Sequence, residues 1–396
     1  MLGPLMLALS LALVALSLTL GTSEAQVPAP PHPAPQLMPL KSVPVPEPAN
    51  LADFVQDKAA AVQLGKALFW DVQVGSDGVT ACATCHFAAG ADNRVKNQLG
   101  PGLNAGDTTF QLGGPNYTLQ PSDFPFTRQA DVNDRASAIL FDTNDVASSQ
   151  GVIAHDFVGH GGAADLCRDV ADPVFHVGST PTRRVEPRNA PTVIDAVFNF
   201  RNFWDGRANN NFNGVNPFGQ RDPDARVWKT VNGQLQPVSV VIPLSSLASQ
   251  AVGPPLSPFE MSCAGRSFAK LGHKMLDPNL RPLDKQNVHA NDSALGPLTS
   301  APGDPFLGTG LAVSYADLVR RAFRPEFTSS DQPVVLAGEP FLQTEANFSL
   351  FFGLSVQLYE AALVADDTPL DQFLEGKTAA LTAQQQEGFA VFNGQG

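Results

Sequence analysis

Five consecutive residues constrain this 396-residue chain more than any others: Cys82-Ala83-Thr84-Cys85-His86, a C-x-x-C-H. Two thiols one helical turn apart can each add across a vinyl group of a haem, and the adjacent imidazole then falls beneath the iron. Two other readings of a C-x-x-C are weaker. A zinc site needs a second C-x-x-C or a nearby H-x-x-x-H, and the sequence offers neither. A dithiol redox pair needs a βαβ setting and leaves His86 without a purpose. The motif therefore points to haem c, with Cys82 and Cys85 holding the porphyrin and His86 the iron. Four cysteines in all, with Cys167 and Cys263, are too few for a disulfide scaffold.

Haem of this type is attached outside the cytoplasm, and the start of the chain agrees. Leu5 to Leu20 is apolar and uncharged, too short for a membrane span but suited to a secretory signal over residues 1–25. No Lys or Arg precedes the run, so an uncleaved N-terminal anchor is the competing reading. Either way the body is expected to be exported, with the periplasm the natural compartment. Residues 26–48 contain nine prolines and read as an extended tether in which His32 is solvated. The formal charge of -13 disfavours nucleic acid as a partner, because neutralising phosphate needs the opposite sign.

Periodicity then gives the fold class. Gln56 to Trp70 carries an apolar stripe at Ala59, Val62, Leu64, Ala67 and Leu68, which predicts a helix ending before Gly75. Phe69 and Trp70 read as haem-edge or core packing. Asn347 to Val364 predicts a second long helix with Phe348, Phe351, Phe352, Val356, Tyr359 and Leu363 facing the core. Between β-prone runs, Asn232-Gly233 predicts a hairpin from Val227 to Val241. Residues 93–151 form a long Gly/Asn/Asp-rich passage of the kind that shapes access to a site. With 34 Pro and 33 Gly, the expectation is a mainly α chain with long loops and a β-hairpin insertion.

Four ordered segments resemble bacterial di-haem cytochrome c peroxidases and their MauG-like relatives. The first is Leu64-Gly65-Lys66-Ala67-Leu68-Phe69-Trp70-Asp71 with the C-x-x-C-H. The second runs from Arg188-Asn189-Ala190-Pro191-Thr192-Val193 into Phe200-Arg201-Asn202-Phe203-Trp204-Asp205-Gly206-Arg207-Ala208. The third is Gly253-Pro254-Pro255-Leu256-Ser257-Pro258-Phe259-Glu260-Met261, and the last comprises Leu358-Tyr359-Glu360 with Asp371-Gln372-Phe373-Leu374-Glu375-Gly376. The resemblance implies a cytochrome c-like, peroxidatic haem domain with insertions over residues 49–376. It also implies that the capping box Thr382-Ala383-Gln384-Gln385 opens a second cytochrome c-like domain, cut short within 377–396 before its own haem motif.

The same resemblance implies residue roles. Glu260 matches a distal carboxylate that moves a proton between peroxide oxygens, a task suited to a desolvated carboxyl; its plainer reading is a surface or helix-start carboxylate. Trp204 matches a tryptophan between two haems, its plainer reading a core aromatic at the Asp205-Gly206 turn. Asp205 and Arg207 are expected to hold that turn or a haem propionate. Asn189 matches a calcium ligand at a domain boundary. Many relatives place a sixth-ligand His shortly before R-N-x-P-T. Here Pro181-Thr182-Arg183-Arg184-Val185-Glu186-Pro187 has none, and His155, His160 and His176 read as surface or satisfied side chains. In an exported chain Cys167 and Cys263 are expected to pair, pinning the loop of Glu260.

The expected activity is reduction of hydrogen peroxide with electrons from a small donor protein, in a family whose members are frequently homodimers. MauG-like oxidation of an organic or protein substrate is the enzymatic alternative. A mono-haem electron carrier or haem sensor is the non-catalytic one, and would gain ground if Met261 rather than Glu260 faced the iron.

Overall fold

The computed structural model describes residues 37–103, 106–300 and 309–394, so the secretory signal expected over residues 1–25 and His32 lie outside the described residues. In chain order the helices of the larger unit, residues 40–368, are α1 (Lys58–Trp70), α2 (Cys82–Cys85), α3 (Ser246–Ala251), α4 (Phe268–Met275), α5 (Tyr315–Ala322), α6 (Gln343–Ala346) and α7 (Phe348–Glu360). A smaller unit contains α8 (Pro369–Leu374) and α9 (Ala383–Phe392). In α9 the Thr382 hydroxyl accepts from the Gln385 N–H, and the Gln385 amide accepts from the Thr382 N–H, as the capping box predicts.

All 13 residues of α7 are buried, which corrects the one-sided core face read from its periodicity. A helix apolar on every side needs partners on every side, and α7 has them: α1, α3, α4 and α6 all pack on it. Its polar members are satisfied where they sit. The Ser349 hydroxyl donates to the Gly214 carbonyl at 2.7 Å, and the Gln357 amide bridges the Ala248 N–H and the Leu244 carbonyl, each at 3.0 Å. Such pairing is what a buried amide or hydroxyl requires. Phe351 meets Phe323 with ring centroids 4.6 Å apart, and Phe352 meets Phe268 at 5.6 Å.

Helix α1 begins at Lys58, two residues after the Gln56 start read from the sequence, because the Asp57 carboxylate caps it by accepting from the Ala60 N–H at 3.0 Å. Its buried face is Ala60, Ala61, Leu64, Ala67, Leu68 and Phe69, while Ala59 points to solvent. Gly65 sets the spacing against α7. A Cβ there would lie 1.8 Å from the Ser355 carbonyl oxygen, so only glycine permits this crossing. At the far end Asp71 accepts from the Tyr315 hydroxyl at 2.7 Å and the Leu283 N–H at 2.8 Å, tying α1 to α5. Trp70 donates its indole N–H to the Tyr359 hydroxyl at 2.9 Å, and Phe69 is buried, so both serve as core packing.

Strands among the described residues form six separate antiparallel pairs rather than one sheet. Val227–Val231 pairs with Gln234–Val238 about an Asn232-Gly233 turn in which both residues have positive φ, the predicted hairpin. The passage 93–151 has two short pairs of its own, including Thr127–Gln129 with Ile139–Asp142. A third hairpin, His155–Gly161 with Ala164–Asp169, is fastened to the body twice. Cys167 on its second strand bonds to Cys263, the expected disulfide. Asp165 at its tip reaches Arg266 at 2.8 Å and Lys274 at 3.2 Å, and all three side chains are out of solvent. In the tether, Leu40–Ser42 forms a single helical turn, Glu47 pairs with Lys58, and Pro48 is buried.

Candidate active site

Local turn chemistry positions the C-x-x-C-H. Asp77 accepts from the N–H groups of Val79 and Thr80 and from the Thr80 hydroxyl, closing the turn that leads into α2. Arg183 spans this turn and the insertion, donating to Asp77 at 2.9 Å and to the Gly151 carbonyl at 2.7 Å. Cys82 and Cys85 then lie one turn apart, both free thiols. Burial pushes the Cys82 thiol well up, and pushes Cys85 up to about 11 against the opposing pull of Arg94. Arg94 donates to the Cys85 sulfur at 3.3 Å and is itself held by Asp92.

His86 follows at the end of α2. Its Nδ1 lies 2.7 Å from the Pro191 carbonyl oxygen. A carbonyl can only accept, so Nδ1 carries the proton and Nε2 is the bare, metal-ligating nitrogen. Burial holds the imidazole below its ordinary pKa, in the neutral form a ligand requires. Free thiols one turn apart and an imidazole with its tautomer fixed fit covalent haem c.

Glu260 comes from a tight turn in which the N–H groups of Glu260, Met261 and Ser262 all bond to the Ser257 carbonyl. One carboxylate oxygen, Oε2, is sealed from solvent without a hydrogen-bond partner. Burial raises this carboxyl to about 7, with Arg207 pulling the other way. Its charge acts on both thiols, so the site gathers the C-x-x-C and this acid. It is neither a surface carboxylate nor a helix start, since α4 begins at Phe268. Met261 beside it is a core residue, 3% exposed.

Glu186 is the residue that the sequence reading passed over, having read its segment for histidine alone. Its Oε1 is also buried without a partner, and its carboxyl is raised to about 8 by burial and then by the charge of Glu260, opposed by Arg207 and Arg188. The irregular segment 148–152 at the end of the long passage joins the chain segments that carry the two acids. It receives the Glu186 N–H at the Ser149 carbonyl (2.8 Å) and donates from Val152 to the Phe259 carbonyl (3.2 Å). Gly151 is the point of closest approach, where a Cβ would lie 1.9 Å from the Phe259 carbonyl oxygen. Nothing in residue spacing signals this arrangement; it exists only once the insertion is threaded between the two segments.

The remaining candidates make contacts of their own. Trp204 is 70% exposed, which overturns its reading as a core aromatic, and the Arg188 guanidinium stacks on it 3.8 Å from the ring centroid. Asp205 and Arg207 hold their turn through a 3.1 Å ion pair. The Asn189 amide oxygen accepts from Ser149 and its NH₂ donates to the Asp92 carbonyl; among the described residues no cluster of three or more His, Cys, Asp or Glu could hold a metal ion. His155 pairs with Asp169 and His176 donates to the Gly178 carbonyl, as satisfied side chains do. The rings of His160 and His273 lie tilted to each other at 44°, with centroids 4.8 Å apart.

The sequence profile of the di-haem cytochrome c peroxidases matches residues 59–283. The chain is 26% identical over 208 residues to the cytochrome c peroxidase Ccp of Escherichia coli strain K12, covering 52% of this chain and 25% of that protein. It is 26% identical over 206 residues to the cytochrome c551 peroxidase of Pseudomonas aeruginosa, covering 52% of this chain and 34% of that protein. The matches thus span between a quarter and a third of the relatives' lengths.

Proposed function

This chain belongs to the di-haem cytochrome c peroxidase family, and on that premise we propose that it is an exported c-type haem peroxidase that reduces hydrogen peroxide with electrons from a small donor protein. Bound through Cys82, Cys85 and His86, haem c supplies the redox chemistry at its iron. The chain's own residues supply the proton chemistry and the positioning.

Glu260 carries the reading. A carboxyl raised to about 7 is present in both protonation states near neutral pH. It can therefore take the proton from one peroxide oxygen and return it to the other, the exchange that O–O cleavage demands. Its unpartnered Oε2 is free to receive that proton. Arg207 limits the cost of the charged form without neutralising it. Two restraints keep the acid in place: the disulfide at Cys263, and the Cys263 N–H donated to the Ser76 hydroxyl at 2.9 Å. Trp204 is assigned to electron transfer toward the family's second haem, its exposed ring being open to a partner surface.

The absence of histidine from 181–187 favours one second reading, MauG-like oxidation of an organic or protein substrate, because it leaves the peroxidatic site open without prior activation. Turnover separates the two. Expressed with haem-ligation machinery, the protein should show haem that survives denaturing electrophoresis and should oxidise a reduced cytochrome on addition of peroxide. Glu260→Gln should slow that oxidation by about 10²–10⁴-fold. A colourless product would overturn the assignment, and so would a Glu260→Gln variant with wild-type turnover.

A further inference from the structure

We propose that Glu186 is a second acid–base residue of this site and works with Glu260 as one proton-holding pair. The proposal rests on the peroxidase reading given above. Three observations carry it. Each acid presents a buried oxygen without a hydrogen-bond partner, Oε1 of Glu186 and Oε2 of Glu260. The segment 148–152 is hydrogen-bonded to the Glu186 segment on one side and to the Glu260 turn on the other. Both buried carboxyls answer to the same counter-charge, Arg207, and the charge of Glu260 acts on Glu186 as a like charge.

Arg207 and Arg188 act on Glu186, Arg207 acts on Glu260, and the charge of Glu260 reaches Cys82 and Cys85. Arg184 packs on the Glu260 turn, donating to the Pro258 carbonyl and lying over the Phe259 ring. None of these arginines makes a hydrogen bond to the two orphaned oxygens. Two like acids in a space with so little compensation do not ionise together, so the pair keeps at least one proton into the neutral range. The stoichiometry of peroxide reduction gives that proton a use. One hydrogen peroxide takes up two protons and two electrons and yields two waters as the O–O bond breaks. Glu260 moves the proton already on the peroxide from one oxygen to the other, releasing the first water. The two electrons come from the donor protein. The two further protons come from solvent and pass through Glu186 to Glu260, completing the second water.

The test uses the full-length, haem-loaded protein with Glu186→Gln, Glu260→Gln and Glu186→Asp. Infrared absorption by protonated carboxyls is followed against pH without peroxide, each spectrum taken minus that of the Glu186→Gln, Glu260→Gln double variant so that Glu360 and Asp71 cancel. Wild type should lose its pair signal in two steps and each Gln variant in one. Turnover with reduced cytochrome and peroxide should fall at least tenfold in Glu186→Gln and recover in part in Glu186→Asp. A two-step titration surviving in Glu186→Gln, or unchanged turnover in it, would overturn the proposal. A wild-type protein that shows both steps yet consumes no peroxide would instead overturn the peroxidase reading, leaving the paired acids standing without that role.

Discussion

His86 donates its Nδ1 proton to the carbonyl of Pro191 across 2.7 Å, joining the haem-attachment motif to the R-N-A-P-T segment 105 residues later. One bond thereby fixes both the tautomer and the ring orientation of the expected iron ligand.

Removing that ligand separates attachment from ligation. In His86→Ala the thioether bonds to Cys82 and Cys85 should still form, so haem staining on a denaturing gel should persist. The visible spectrum of the ferric protein should change and peroxide turnover should vanish. Loss of haem staining as well would mean that the imidazole is needed for attachment itself.

The acids of the site dictate a pH dependence of stability. Burial raises Glu260 to about 7 and Glu186 and Glu360 to about 8, from an ordinary value of 4.5. Below 4.5 these groups are protonated in both folded and unfolded chains and contribute their full stability. As pH rises the unfolded chain releases their protons first while the native chain retains them, so stability falls until about pH 8 and then levels. Urea midpoints should therefore drop between pH 5 and pH 8, and Glu360→Gln should flatten the slope. A midpoint that climbed over this window would contradict the burial of these acids.

Much of this was legible in the residues, and the limits are physical. The C-x-x-C-H, the Asn232-Gly233 hairpin and the Thr382 capping box are local patterns whose geometry follows from adjacent residues, and all three are present as read. The core side of α7 was misread because periodicity reports amphipathicity, and this helix is enclosed on every side. Trp204 was given a buried alternative because aromatics are usually inside, yet an arginine stack lets it stay on the surface. Glu186 was illegible because its partnership with Glu260 is made by a third segment, 148–152, distant in sequence from Glu260.

The Cys167–Cys263 bond closes 96 residues of chain and fixes the loop three residues from Glu260. Cys167→Ser with Cys263→Ser should cost about 2–5 kcal/mol of stability, read from denaturant unfolding. Turnover should fall along with it at temperatures where the variant is still folded, because the acid loses its restraint. Stability loss with wild-type turnover would assign the disulfide to folding alone.

Asp165 sits between Arg266 and Lys274 with every charged group out of solvent. Breaking a buried pair strands its partners, and Asp165→Ala leaves two cations uncompensated beside each other. The expected loss is about 3–5 kcal/mol. Replacing Arg281, whose pair with Asp284 is nearly half exposed, should cost at most about 1 kcal/mol. Equal losses at the two positions would show that burial does not set the worth of these pairs.

Trp204 offers the cleanest division between fold and function, because the ring is 70% exposed and the Arg188 guanidinium lies 3.8 Å from its centroid. Trp204→Phe keeps an aromatic surface for the guanidinium and should change stability by no more than about 0.5 kcal/mol. Electron delivery is another matter, since phenylalanine is a poorer site for a travelling charge than indole. In the full-length protein the rate of donor oxidation should therefore drop while the peroxide concentration giving half-maximal rate stays where it was. Arg188→Ala strips the cation from the ring without touching the indole, so it should alter that rate in a different sense, easing removal of an electron from Trp204. If both variants oxidise donor at the wild-type rate, electrons take another route and the exposed indole is a docking surface alone.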